Sequence, residues 1–163
     1  VISIEPWDAP DAVALRRAQR DELDARYETA GHEAGPVPTA ESITVFLVAR
    51  DEDGKPTGCG GLRRLGPGEA EIKRMYVVPG ARGSGLATRL LRALEEQARG
   101  HDITRLLLET GVRQPEAIRF YEREGYRAID AFGAYREDPL ARCYAREITA
   151  VTPFGLFTEN AAE

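Results

Sequence analysis

An α/β domain of the mixed α+β kind is predicted, with a central, mostly antiparallel sheet of about six to seven strands flanked by helices. Three observations predict it. Short apolar or alternating segments recur between turn residues, two of them are joined by a tight Asp-Glu-Asp-Gly turn, and two amphipathic helical stripes alternate with the later strands. The 163 residues, 42% hydrophobic, suffice for one domain with a sizeable core. We expect that domain over residues 1–148, followed by a tail over 149–163.

Residues 1–5 alternate as a short strand does. Residues 11–26 carry Val13, Leu15, Ala18 and Leu23 among charges, the pattern of a surface helix. Gly31, Gly35, Pro36 and Pro38 then make a loop that contains His32 and serves either as a connector or as a substrate-holding segment. Residues 43–50 form an apolar strand, 51–54 turn the chain, and 57–63 return as a glycine-rich strand, so a hairpin is expected. After Gly66-Pro67-Gly68 a further strand over 69–78 makes three antiparallel neighbours.

A helix follows from Gly85, with Ala87, Leu90, Leu91, Leu94 and Ala98 on one stripe and Arg89, Arg92, Glu95, Glu96 and Arg99 on other faces; Gly100 ends it. The Leu106-Leu107-Leu108 run in the strand over 103–109 implies burial on both faces. Gln114-Pro115-Glu116 opens a second helix on which Ala117, Ile118 and Tyr121 share a face, and Gly125 closes it. Strands over 126–131 and 142–148 flank a loop over 132–140. The tail mixes Phe154, Leu156 and Phe157 with Pro and Gly, and is expected either to pack on a neighbour or to fray.

A net charge of −5 and a pI near 5.2 argue against a nucleic-acid partner, which calls for clustered Lys and Arg, and suit a cationic small substrate better. No apolar run approaches the roughly 18 residues of a membrane span, and the first residues lack a signal-peptide core. No membrane association and a cytoplasmic location are therefore expected. The chain opens at Val1 with its only Met at Met75, so leading residues are expected to be missing or processed. Cys59 and Cys143 point to two reduced thiols rather than a disulfide framework, and to no metal site.

The chemistry is concentrated in Val77-Val78-Pro79-Gly80-Ala81-Arg82-Gly83-Ser84-Gly85-Leu86-Ala87. Without a Cβ at Gly83 and Gly85 the backbone can approach an anion closely, and the unpaired N–H groups of the following helix point at it. That junction suits a phosphorylated cofactor.

Together with the order of elements, these residues resemble the GNAT superfamily of acetyl-CoA-dependent N-acetyltransferases from about Ile43 through Ile148. The family's pyrophosphate motif is matched by Arg82, Gly85 and Ala87, directly after Met75-Tyr76-Val77-Val78. A second block, Ala117-Ile118-Arg119-Phe120-Tyr121 with Gly125-Tyr126, resembles its later helix and strand. The resemblance implies acetyl-CoA as co-substrate, no metal, and transfer of the acetyl group to a primary amine, on a small molecule or a peptide, by direct attack in a ternary complex. It implies that the amides of Arg82, Gly83, Ser84, Gly85, Leu86 and Ala87 wrap the pyrophosphate, while Val77 and Val78 face the pantetheine arm. That arm would pair with main chain exposed in a gap between the strands at 69–78 and 103–109.

An alkyl ammonium must lose a proton before it attacks, and Glu71 stands where some relatives carry the base. Tyr121 matches the family's tyrosine that protonates the thiolate leaving group; as a plain core aromatic it would equally suit its place beside Phe120. Gln114 stands where relatives often have Asn, and its amide offers the same groups. Glu109 at a strand end, and Phe132 and Tyr135 in the loop that overhangs the family's acceptor site, are substrate candidates. Glu109-Thr110-Gly111, Phe132 to Tyr135 and Asp138-Pro139 are similar to a series in bacterial relatives of unknown substrate. The apolar tail would suit a homodimer contact.

Two rival readings remain at this stage. Gly83-x-Gly85 between strand and helix also suits a dinucleotide-binding oxidoreductase, although Thr88 replaces the third glycine. A non-catalytic acyl-CoA sensor would keep the cofactor cleft and grip a protein partner instead. A P-loop is excluded, since Gly-Lys-Ser/Thr is absent.

Overall fold

The computed structural model describes residues 1–28 and 35–149. Seven strands and three helices follow one another as β1 (Ile2–Ile4), α1 (Pro10–Tyr27), β2 (Val45–Arg50), β3 (Pro56–Gly66), β4 (Glu69–Val77), α2 (Leu86–Gly100), β5 (Arg105–Gly111), α3 (Pro115–Arg123), β6 (Arg127–Ile129) and β7 (Ala141–Glu147). Short 3-10 turns cover Pro79–Ala81 and Gly133–Glu137. His32 and most of the tail lie outside the described residues.

The strands form one sheet in the order β1-β2-β3-β4-β5-β7-β6. Every neighbouring pair is antiparallel except β4 and β5, which α2 joins by a crossover. The mixed, mostly antiparallel sheet of the sequence reading is thus observed. A doubly wound parallel sheet, which the oxidoreductase reading required, is not.

Each helix sits where its apolar stripe finds the sheet. On one face Leu90, Leu91, Leu94 and Ala98 of α2 are fully buried against β2, β3 and β4. Burial of each such leucine stabilises by about 1.5–3 kcal/mol. The contact is close because β3 is rich in glycine: a Cβ on Gly60 would come within 2.9 Å of Leu94 Cδ1. On the other face Ala12 and Leu15 of α1 pack with Phe46, Val48, Cys59 and Tyr76. Pro10 and Asp11 favour the start of α1, and Glu28 ends it in the left-handed region at φ 57°.

Glu95 departs from the outward placement expected of it. It is buried in α2, accepts from Arg92 (2.6 Å), Arg146 (2.7 Å) and the Tyr126 hydroxyl (3.2 Å), and so ties α2 to β7. A carboxylate is tolerated there because several charge-assisted bonds replace its water. Both cysteines are free and buried, and burial pushes the Cys59 thiol up to about 12.

The feature that makes a site is a failure of pairing. β4 and β5 pair only from Glu69↔Arg105 to Glu71↔Leu107. Beyond that point β4 bulges, because Cys59 opposes Tyr76 while Gly61 opposes Lys73, which leaves Arg74 and Met75 opposite Gly60. Arg74 takes φ 58°, a left-handed conformation that an arginine adopts only where surrounding structure imposes it. Such a bulge bends its strand. The upper parts of β4 and β5 diverge and become two walls of a cleft.

Candidate functional site

At one end of the cleft the chain leaves β4, makes the Pro79–Ala81 turn and enters α2. Gly83 and Gly85 both lie at positive φ, 79° and 82°, a conformation open to glycine and strained in other residues. No side chain caps α2 at Gly85, so the first amides of the helix are left for a ligand. The Ser84 hydroxyl donates to the Ala81 carbonyl at 2.6 Å and holds the loop from within. Uncapped amides, positive-φ glycines and the positive end of a helix together fit a diphosphate.

Arg82 reaches back across this end. Its Nε donates to the Val77 carbonyl (3.0 Å), and its Nη2 donates to both carboxylate oxygens of Glu22 on α1 (2.9 and 2.8 Å). Those hydrogen bonds hold the Glu22 carboxyl below the usual range, with burial opposing them. The pair spans the mouth of a cavity of about 240 Å³ whose walls include Val77, Ala87, Gln114, Ala117, Phe120 and Tyr121. The rim carries a second ion pair, Arg26 with Glu116.

A further cavity of about 170 Å³ continues between the diverging strands and α1, lined by Gln19, Arg20, Asp24, Lys73, Glu109 and Thr110 among others. The two cavities share Gln19, Leu23, Met75, Gln114, Ala117 and Tyr121 as walls. They adjoin as one cleft, and Tyr121 is among the walls common to both parts.

Tyr121 is buried, its ring edge-on to Tyr126 at 5.8 Å and tilted against Phe120 at 5.1 Å. Burial alone pushes its phenol well above the ordinary tyrosine value, so the hydroxyl stays protonated throughout the physiological range. Gln114, directly before α3, donates through Nε2 to the Tyr27 hydroxyl at 3.3 Å.

Of the cofactor-binding candidates, Val77, Arg82, Ala87 and Gln114 line the first cavity, and Gly83, Ser84 and Gly85 form the exposed loop beside it. Leu86 turns into the core, and Val78 packs with the α1-side cluster that includes Trp7 and Ala9. Glu109 lines the second cavity. Glu71 lines neither: it is fully buried on β4, accepting from Arg63 Nη2 (2.5 Å) and from the Tyr135 hydroxyl (2.5 Å). Lys73 Nζ donates to the same hydroxyl at 2.9 Å and stands 3.6 Å from Glu71. Tyr135 is buried in this network, and Phe132 packs edge-on against it at 5.1 Å rather than along the cleft. From the following segment Asp138 and Leu140 reach the second cavity instead.

The sequence reading missed the contribution of α1. Gln19, Arg20, Leu23, Asp24 and Tyr27 all line the cleft. Their spacing of i, i+1, i+4, i+5 and i+8 is one continuous helical stripe, and Tyr27 at its end was the signal that this face is covered.

Comparison with known proteins completes the description. A family model described as the Acetyltransferase (GNAT) family matches residues 10–126. An IAA acetyltransferase of Azospirillum brasilense is 43% identical over 97 residues, which cover 59% of this chain and 63% of that protein. The match thus spans less than two thirds of that relative's length. A protein of Klebsiella pneumoniae, provisionally named an acyl-CoA N-acyltransferase, has a structure that superposes with a TM-score of 0.77 at 34% identity, covering 91% of this chain and 97% of that one. A GNAT family acetyltransferase from Elizabethkingia anophelis with acetyl-CoA bound has the same fold, with a TM-score of 0.68 at 17% identity over 91% of this chain and 97% of that one.

Proposed function

The chain belongs to the GNAT acetyltransferase family, and from that membership we propose that it is an N-acetyltransferase that moves the acetyl group of acetyl-CoA to a primary amine by direct attack. One observation carries the reading. A single cleft has a diphosphate-suited loop beside one cavity and a charged second cavity, with a protonated buried phenol on the wall common to both.

Acetyl-CoA supplies an activated thioester acyl group. The loop from Arg82 to Ala87 holds its diphosphate, and the unpaired upper edges of β4 and β5 accept its amide-bearing arm as an added strand is accepted. Val77 covers that arm, and Gln114 fixes the start of α3 beside it. Tyr121 gives its proton to the departing thiolate. The acceptor ammonium loses its proton to Glu109 or to water beside it, since Glu109 is on the cavity wall. Glu71 acts from beside the cavity: its oxygens accept from Arg63 and from the Tyr135 hydroxyl, which in turn accepts from Lys73, and its charge stands 3.6 Å from the Lys73 ammonium.

The test is an acetyl-CoA turnover screen over a broad panel of amines, read as free thiol and confirmed by mass of the acetylated product. Amine-dependent thiol release is expected, and Glu109→Gln should lower kcat/KM by about 100-fold in the same assay. Tight cofactor binding with no turnover over the whole panel would instead identify a sensor.

A further inference from the structure

We propose that the acceptor is a small amine that also carries an anionic group, an amino acid or an aminoalkylphosphonate being the chemical type, and that Arg20 on α1 holds that anion. The inference rests on the acetyl-transfer reading above and specifies the acceptor class.

A net-acidic chain would lead one to expect an acidic acceptor cavity, and the structure has a different distribution. The second cavity is lined by three cations, Arg20, Lys73 and Arg74, and by three carboxylates, Asp24, Glu109 and Asp138. Both signs of charge therefore meet the acceptor. A monoamine or polyamine engages only the carboxylates of this lining, whereas an amine that bears a carboxylate can also engage a cation.

The cations are not equivalent. Lys73 is buried and bonded to Tyr135, beside Glu71. Arg20 makes no salt bridge with any other described residue. A planar guanidinium on a partly desolvated wall suits a carboxylate or phosphonate, which it can meet with two parallel N–H bonds.

Two further groups of the same cavity offer acceptors to the amine. Thr110 is 4% exposed, and its Oγ1 has no hydrogen-bond partner among the described residues; the same holds for Oε1 of Gln19. Both residues line this cavity, from β5 and α1 respectively. Leaving a buried oxygen unpaired is costly, so such atoms mark places where a ligand or water completes the bonding. Gln19 is held in place, because its Nε2 donates at 2.9 Å to the Met75 carbonyl on the β4 bulge. Its Oε1 remains available as an acceptor of N–H, and Gln19, like Tyr121, lines both cavities. The acceptor amine sits against Gln19, Thr110 and Glu109, and its anion lies toward Arg20.

The experiment compares probes matched in chain length: 1-aminoalkanes, α,ω-diamines, α-amino acids and aminoalkylphosphonates, each assayed for thiol release with saturating acetyl-CoA. The amino acids or aminoalkylphosphonates should be preferred over the anion-free amines by about ten-fold or more in kcat/KM. Arg20→Met should collapse that preference through KM while leaving the Kd of coenzyme A as it was. Calorimetric titration of the preferred probe into protein saturated with coenzyme A should show binding that Arg20→Met weakens by a similar factor. Equal or better turnover of 1-aminoalkanes or diamines would overturn the inference and leave the acetyl-transfer reading intact. A preference that survives Arg20→Met would overturn the assignment of Arg20. Absence of turnover with every probe would overturn both readings.

Discussion

Replacing Tyr121 by phenylalanine should lower kcat by about 100-fold or more, while the Kd for coenzyme A should hardly change. The phenol lines both halves of the cleft, and the substitution removes one oxygen without altering the ring that packs on Phe120 and Tyr126. A purely structural tyrosine would give the opposite split, with thermal stability reduced and turnover per folded molecule retained. The pH profile adds a second readout. The proton-donating form is the neutral one, present below the pKa and lost as pH rises through it. Burial raises that pKa above the ordinary tyrosine value of about 10, so the wild-type profile carries no alkaline fall from this residue below about pH 10. Turnover of Tyr121→Phe, followed as thiol release beside a calorimetric Kd, decides the matter.

The second large effect is expected at the loop that enters α2. Gly85→Val should weaken coenzyme A binding by about 100-fold or more. Gly85 has φ 82°, where a β-branched residue costs on the order of 1–3 kcal/mol. A Cβ built there meets nothing within 4 Å, so the folded protein has room for it. The loss therefore comes from relaxation of the backbone away from its anion-binding form and from a side chain standing before the α2 amides. Calorimetry with coenzyme A measures the effect, and a circular dichroism melt shows that the fold is retained. An unchanged Kd would mean that these amides do not hold the diphosphate.

The sheet was legible in the sequence because its signals are local. The Asp51 to Gly54 turn, the Gly66-Pro67-Gly68 break and the leucine stripe of α2 each depend on a few consecutive residues, and each element formed within a few positions of its expected bounds. The glycine loop that enters α2 was legible for the same reason, since Gly83 and Gly85 carry their conformational preference with them. The cavity between β4, β5 and α1 was not. Its walls come from α1, from the bulge at Arg74 and from Thr110, which are distant in sequence and meet only because β4 and β5 part after three pairs. Nothing local in Glu-Ile-Lys-Arg-Met announces a bulge.

Glu71 illustrates the same limit. Its burial depends on Arg63 across the hairpin and on Tyr135, far along the chain. Glu95 was read as an outer residue because its partner Arg146 lies on β7. In both cases a long-range cation or hydroxyl decided whether a carboxylate faced water.

The most direct measurement is a pair of calorimetric titrations of the purified protein, one with coenzyme A and one with pantetheine, which carries the same arm without the diphosphate. If the α2 entrance grips the diphosphate, coenzyme A binds one to one and pantetheine binds at least about 100-fold more weakly, as befits the loss of several charge-assisted bonds. No heat from coenzyme A, or equal affinity for the two, would contradict the account.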